Sequence, residues 1–83
     1  MHFTFAESAK GDIDTLPKKI KQGLKEKLLY WQQSPDPLQF AKSLTKHEQA
    51  SHRFRFGAYR VLVKKTGEEM RVLRVRHRKD VYR

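Results

Sequence analysis

Residues 51–83 read SHRFRFGAYR VLVKKTGEEM RVLRVRHRKD VYR, and this stretch decides the fold. From His52 onward, apolar and basic residues alternate with period two, which is typical of strands that bury one face. Turn signals at residues 57–58 and 66–68 divide the stretch into three segments. The pattern predicts a three-stranded antiparallel meander whose last strand ends near His77.

A two-residue turn at positions 57–58 fixes the register of the first hairpin. It places Phe56 opposite Tyr59 and Arg55 opposite Arg60. The apolar side chains then share one face of the sheet, and the arginines share the other. A slip of one residue would mix the two faces, because successive side chains point to opposite sides of a strand.

The second turn allows two registers. A two-residue loop over residues 66–67 places Arg74 opposite Tyr59, among the apolar side chains. A three-residue loop over residues 66–68 pairs Tyr59 with Val75 and sets Arg74 opposite Arg60. Because burying an unpaired guanidinium is costly, we predict the three-residue loop.

The first 50 residues predict a short strand followed by two helices. Residues 2–6 alternate as a strand, and Ser8 is placed to cap a first helix that ends near Leu16. Pro17 fits the first turn of a second helix, which residues 34–37 end. The second helix has one apolar face: Ile20, Leu24, Leu28 and Trp31. We expect this helical hairpin to cover the apolar face of the sheet.

The segment after the second helix gives weaker signals. Residues 38–44 fit either a helical turn or a loop. Residues 45–50 read as a polar connection, and we interpret His2 and His47 as ordinary surface histidines.

Length and composition bound the class of protein. Eighty-three residues predict a single domain over positions 1–83. There is no cysteine, and no histidines or carboxylates have metal-ligand spacing, so we expect no disulfide, metal or cofactor. No apolar run reaches the length of a membrane span, and the first ten residues lack the pattern of a signal peptide. We therefore expect a cytoplasmic protein.

Positive charge is concentrated in the last third of the chain. Residues 51–83 hold 11 basic and 3 acidic residues, a net +8, and they include every arginine. Residues 1–50 hold 8 lysines and 6 acidic residues, a net +2. The planar guanidinium of arginine suits phosphate, so a polyanionic partner is favoured, either nucleic acid or an acidic protein.

The predicted sheet collects arginines on one face. Its members are Arg53, Arg55, Arg60, Arg74 and Arg76, with Arg78 at the strand end. Like charges that face each other across strands are destabilising. Such a face is either fully solvated or binds an anion, and its regular alternation over three strands favours the anion.

Two segments of the chain resemble a known group of proteins. The segments R-F-R-F-G-A-Y-R-V-L-V (53–63) and M-R-V-L-R-V-R-H-R-K-D-V-Y-R (70–83) are similar to the C-terminal half of the RelE/ParE superfamily of toxin–antitoxin toxins. The front half fits as well, through S-A-K-x-D-I-x-x-L-P-K-x-I (8–20). The resemblance covers nearly the whole chain.

The resemblance implies an α/β (α+β) fold, with an N-terminal strand and a two-helix hairpin packed on a small, twisted, mostly antiparallel sheet of three to four strands. It also implies a cognate antitoxin as partner. RelE-branch toxins cleave mRNA in the A site of the 30S ribosomal subunit, and ParE-branch toxins poison DNA gyrase. The ending H-R-K-D-V-Y-R resembles the RelE branch. The alternative is a gyrase inhibitor or an inactive relative that acts only by binding.

The resemblance also implies roles for individual residues in a metal-independent endoribonuclease (an mRNA interferase). Arg60 is the expected stabiliser of transition-state charge, and Arg78 an electrostatic stabiliser or proton donor. Tyr82 is the expected base, with His77 as an alternative acid or base. The strand alternation places the His77 side chain on the apolar face, so the competing interpretation is that His77 has a purely structural role. Arg53 and Arg55 match two basic residues of the family, and together with Arg74 and Arg76 of the same predicted face they are the expected RNA-binding residues. We expect no C-terminal helix after the last strand.

Overall fold

The computed structural model describes residues 1–81, which form five strands, three α-helices and one 3-10 turn. In chain order these are β1 (His2–Phe5), α1 (Glu7–Asp14), α2 (Lys18–Gln33), the 3-10 turn (Pro37–Phe40), β2 (Ala41–Ser43), β3 (His52–Phe56), β4 (Tyr59–Thr66), β5 (Glu69–His77) and α3 (Arg78–Val81). The N-terminal strand, the helical hairpin and the meander are as predicted.

All five strands belong to one sheet with the order β1-β5-β4-β3-β2. β1 runs parallel to β5, and the other neighbours are antiparallel. The sheet has one strand more than the three to four predicted, because β2 adds to the edge of β3. This strand has only three residues, too few to show a period in the sequence.

The first hairpin has the predicted register. Phe56 lies opposite Tyr59 and Arg55 opposite Arg60, across a two-residue turn. Gly57 begins that turn with a φ of +57°, a left-handed conformation that glycine adopts without steric cost.

The predicted three-residue loop of the second hairpin is wrong. The loop has two residues, because Thr66 already pairs with Glu69. A β-bulge follows at Leu73, and beyond it Arg60 lies opposite Arg76 rather than Arg74. The bulge shifts the alternation of β5 by one residue, which a strictly regular strand cannot do.

The bulge explains why no regular register fits the sequence of β5. Met70 and Val72 are fully buried, and Val75 is 4% exposed. In a regular strand, Met70 and Val72 would point to one face of the sheet and Val75 to the other, so they could not all be buried. With Leu73 as the extra residue, all three face the core, while Arg74 and Arg76 face the other side.

α1 and α2 cover one face of the sheet. Leu24, Leu28 and Trp31 of α2 are buried, as predicted. The Trp31 ring stacks on Phe54 with centroids 4.5 Å apart, and Phe3 meets Phe54 edge-on at 5.6 Å. Phe54 is therefore the centre of the core.

The N-terminal cap of α1 differs from the prediction. Ala6 is the cap residue, and Ser8 lies inside the first turn. The Ser8 hydroxyl donates instead to the Leu73 carbonyl at 2.7 Å. Ser8 thus binds the helix to the bulge of β5, a contact 65 residues away in sequence.

The last strand continues into a single helical turn, α3, where we expected no helix. The Arg78 amide donates to the Ala58 carbonyl at 2.7 Å, which joins this turn to the first hairpin. No helix within residues 1–81 is long and apolar enough to cross a membrane.

Candidate nucleic-acid interface

Three arginines lie side by side on the sheet face opposite α1 and α2. Arg55 of β3, Arg60 of β4 and Arg76 of β5 are direct cross-strand neighbours. We call them the arginine row. Cross-strand neighbours have Cα atoms about 4.5–5.5 Å apart, so three arginine side chains leave the sheet at adjacent positions. Their mutual repulsion favours the binding of an anion.

Arg60 occupies the middle of the arginine row. Its Nε and Nη1 atoms are buried, and no group within residues 1–81 accepts a hydrogen bond from them. A buried donor without a partner costs about 1–3 kcal/mol, and more when it is charged. The Arg60 guanidinium is therefore held partly desolvated, with two donors that the described part of the chain leaves without an acceptor.

A second row runs beside the first and has a different character. Leu62 of β4 lies between Arg53 of β3 and Arg74 of β5. Together the two rows form what we call the arginine face: Arg53, Arg55, Arg60, Leu62, Arg74 and Arg76. The bulge at Leu73 keeps Arg74 and Arg76 on this face.

Arg74 is the member whose charge the protein itself neutralises. Its Nε donates to Asp12 Oδ2 at 2.8 Å and its Nη2 to Asp12 Oδ1 at 3.0 Å. Asp12 Oδ2 also accepts from the Val75 amide at 2.9 Å. No other member of the arginine face forms an ion pair within residues 1–81.

The environment of Asp12 shifts its pKa. Burial alone would raise that pKa, but the hydrogen bonds from Arg74 and the Val75 amide, with the charges of Arg74 and Arg76, hold it below its ordinary value of 3.8. The hydrogen bond with Asp12 in turn raises the pKa of Arg74. This pair closes the β5 edge beyond β1, so Arg74 has a structural role beside its predicted RNA contact.

A concave pocket of about 340 Å³ opens on the arginine face. Its lining residues are Leu44, His47, Arg53, Leu62, Arg74, Arg76 and Asp80. The sequence interpretation missed His47, Leu44 and Asp80. His47 belongs to the polar connection before β3, and only its position beside the arginines distinguishes it from any other surface histidine.

His77 points to the sheet face opposite the arginine row, although it lines a second pocket together with Arg76. His77 lies opposite Tyr59, and the two rings meet edge-on with centroids 5.3 Å apart. Its Nδ1 accepts a hydrogen bond from the Lys79 amide at 3.3 Å. The His77 side chain thus lies on the helix-covered face of the sheet, which favours a structural role for this residue.

The remaining candidates lie at the C-terminal end. Arg78 is exposed and begins α3, beside the first hairpin. Tyr82, the predicted base, lies outside the described residues. Within positions 1–81, no group of three or more histidines, cysteines and carboxylates is arranged to hold a metal ion. The arrangement that is described can bind a phosphodiester through guanidinium groups and stabilise added negative charge on it.

The sequence matches one known protein family over nearly its whole length. The model of a family described as "ParE toxin of type II toxin-antitoxin system, parDE" matches residues 3–82. No curated protein sequence matches the chain significantly.

Solved structures with similar folds come from toxin–antitoxin complexes. A chain of the RelBE2 complex of Mycobacterium tuberculosis is 28% identical with a TM-score of 0.76, and the match covers 92% of this chain and 95% of that one. A chain of the RelB–RelE complex of Methanococcus jannaschii is 25% identical with a TM-score of 0.74, covering 94% and 93%. A chain of the chromosomal ParDE system of P. aeruginosa is 18% identical with a TM-score of 0.70, covering 93% and 95%, and shows likeness of fold alone.

Proposed function

The chain belongs to the ParE toxin family of type II toxin–antitoxin systems, and within the RelE/ParE superfamily that its sequence resembles we propose that it is a ribosome-dependent mRNA endonuclease. The observation that carries the proposal is Arg60, whose buried Nε and Nη1 atoms have no acceptor within residues 1–81. The identities of 28% and 25% to chains of RelBE2 and RelB–RelE complexes add support.

The reaction needs no metal if the RNA supplies its own nucleophile. The 2′-oxygen attacks the adjacent phosphorus, and the bond from phosphorus to the 5′-oxygen breaks. The 2′-hydroxyl gives up its proton to a base, and the leaving 5′-oxygen takes up a proton from an acid. The products are a 2′,3′-cyclic phosphate and a 5′-hydroxyl, with no net change of redox state.

Arg60 stabilises the charge that develops on the phosphoryl oxygens. Its neighbours in the arginine row, Arg55 and Arg76, and the nearby Arg53 hold the RNA backbone. A donor that is already desolvated and positioned before the substrate binds needs little reorganisation during the reaction. The unpartnered state of Arg60 in the described structure is therefore what this role requires.

The proton transfers fall to residues near the C-terminus. Tyr82 remains the candidate base, and Arg78 the candidate electrostatic stabiliser or proton donor. His77 is the weaker alternative, because its ring packs against Tyr59 on the other side of the sheet. A His77→Gln variant that retains activity would restrict His77 to its structural role.

The proposal is tested in a translation reaction with purified protein, in which mRNA 5′ ends are mapped by primer extension. We expect cuts inside A-site codons, and a reduction of about 100- to 1000-fold in Arg60→Ala. Arg71→Ala is the matched control, because Arg71 is an exposed arginine of β5 that pairs with Lys64, away from the arginine row. Intact mRNA at concentrations that stop growth would refute the proposal.

A second candidate is inhibition of DNA gyrase. The description of the matching family favours it, since that family is named for ParE toxins. Here the arginine face would serve as a docking surface, and there would be no cleavage for Arg60→Ala to abolish. A gyrase supercoiling assay distinguishes the two, and an absence of both activities and of a growth defect would indicate an inactive relative.

The proposed partners follow from both candidates. The similar structures are toxin–antitoxin complexes, which supports a cognate antitoxin that binds and neutralises this chain. For the endonuclease, the substrate is mRNA in the A site of the 30S subunit, and the site of action is the cytoplasm.

A further inference from the structure

The loop between β2 and β3, residues 44–51, is closed at its base by backbone hydrogen bonds. The Leu44 amide donates to the Ser51 carbonyl at 2.9 Å, and the Ser51 amide donates to the Val63 carbonyl at 2.9 Å. Ala50 is only 3% exposed, so the end of the loop is buried. The loop is therefore fixed beside the arginine face.

His47 holds the tip of this loop through one ring nitrogen. Its Nδ1 accepts hydrogen bonds from the amides of Ala50 at 2.9 Å and Gln49 at 3.1 Å. An Nδ1 atom that accepts from two amides cannot carry a proton of its own. The neutral ring must then carry its proton on Nε2, which remains a donor.

The pocket next to His47 combines two kinds of surface. Leu44 and Leu62 supply apolar area, and Arg53 and Arg76 supply positive charge without an ion-pair partner in the described chain. Asp80 adds one carboxylate to the lining, so the two free arginines outnumber it. A lone phosphate needs no apolar wall, and a purely apolar ligand gains nothing from guanidinium groups. A nucleotide has both an apolar base face and a phosphate.

We propose that this pocket binds one nucleotide of the RNA, with its base against Leu44 and Leu62, its phosphate at Arg53 and Arg76, and a hydrogen bond from His47 Nε2. This inference rests on the proposed function, because it takes the arginine face as the RNA-binding surface. It adds His47 as a binding residue that acts through direct contact with the substrate. The two hydrogen bonds at Nδ1 orient the ring for that contact.

The test is a titration of the purified protein with adenosine 3′-monophosphate, followed by NMR. The signals to follow are the Leu44 and Leu62 methyl groups and the His47 ring. We expect ring-current shifts at both leucines with the nucleotide but not with inorganic phosphate. Equal affinity for the two probes, or unshifted leucine methyls, would overturn the nucleotide pocket.

Two substitutions separate the roles of the two ring nitrogens. In His47→Asn, Oδ1 takes the place of Nδ1 and accepts from the same amides, while the Nε2 donor is lost. We expect about tenfold weaker nucleotide binding, with the amide signals of Gln49 and Ala50 little changed. His47→Ala loses both functions, and His2→Asn, an exposed histidine on β1, is the control. Nucleotide affinity in His47→Asn equal to that of the wild type would reduce His47 to a loop-forming residue.

The same proteins distinguish this inference from the proposed function. Nucleotide binding without A-site cleavage would refute the endonuclease but support the pocket. Cleavage by the wild type that His47→Asn leaves unchanged, with no shift at the leucine methyls, would refute the pocket and support the endonuclease.

Discussion

The two faces of the sheet are built from the same strands but have opposite energetic characters. On the helix-covered face, Phe54, Val61 and Val63 are fully buried. On the arginine face, their immediate neighbours in sequence are Arg53, Arg55 and Arg60, of which Arg60 has two buried donors without a partner within residues 1–81. One face supplies stability by removing apolar area from water, and the other places like charges together at a cost.

The difference is also visible between two arginines of the same face. Arg74 forms a bidentate ion pair with Asp12, whereas Arg60 has no carboxylate partner in the described chain. A guanidinium neutralised by its own protein stabilises the fold and has less charge to offer a ligand. Position on the arginine face therefore does not by itself make an arginine a binding residue.

The largest effect is expected at the core. Phe54→Ala should lower the free energy of unfolding by about 4 kcal/mol, because it empties space beside Trp31 and Phe3. Urea denaturation measures the change. Phe40→Ala is the control, because Phe40 is 39% exposed, and it should lower the free energy of unfolding far less. Similar losses in the two variants would contradict the central position of Phe54.

The next largest effect is expected at the ion pair between Asp12 and Arg74. Asp12→Ala should cost about 2 kcal/mol at neutral pH, because the Val75 amide and Arg74 lose their acceptor. Since the folded pKa of Asp12 lies below its ordinary value of 3.8, the wild-type advantage should be complete at neutral pH, decline as the pH falls below 3.8, and be lost as the pH falls through the folded pKa. Chemical denaturation at about pH 7 and about pH 3 tests this, with Asp14→Ala of the same helix as the control. A difference that is unchanged at acid pH would exclude the carboxylate as its source.

A smaller effect of opposite sign is expected at Arg60. Arg60→Met should raise the free energy of unfolding by about 1 kcal/mol, because it removes buried donors that have no partner in the described chain. Arg55→Met, at an exposed neighbour in the same row, should change stability by less than about 0.5 kcal/mol. Thermal and urea unfolding measure both. Destabilisation by Arg60→Met would show that Arg60 supports the fold.

The smallest effect is expected from a bound anion. Phosphate should stabilise the wild type by about 0.4 kcal/mol when its concentration equals the dissociation constant. Arg60→Met should lose most of this gain, whereas Arg71→Met should keep it. Thermal unfolding in phosphate and in chloride at equal ionic strength provides the measurement. An equal gain in Arg60→Met would place the anion elsewhere.

Much of the fold could be predicted because its signals are local. The alternation around Phe54 and Phe56 and the short turn after them fix the first hairpin, and the apolar stripe of α2 identifies the helix face that packs on the sheet. The second hairpin could not be predicted in the same way. Its bulge at Leu73 depends on which residues of β5 fit the core, and on a hydrogen bond from Ser8.

The candidate site also has features that local sequence predicts and features that depend on tertiary contacts. Alternation alone places Arg53, Arg55 and Arg60 on one face, because residues two apart in a strand point the same way. The bulge at Leu73 brings Arg74 and Arg76 to that face, and tertiary contacts set which arginines remain available. Arg74 is neutralised by Asp12, 62 residues away, and His47 comes to the arginine face through a loop closed onto β4 by the Ser51 amide and the Val63 carbonyl. Such contacts join residues far apart in the chain, and neither period nor spacing encodes them.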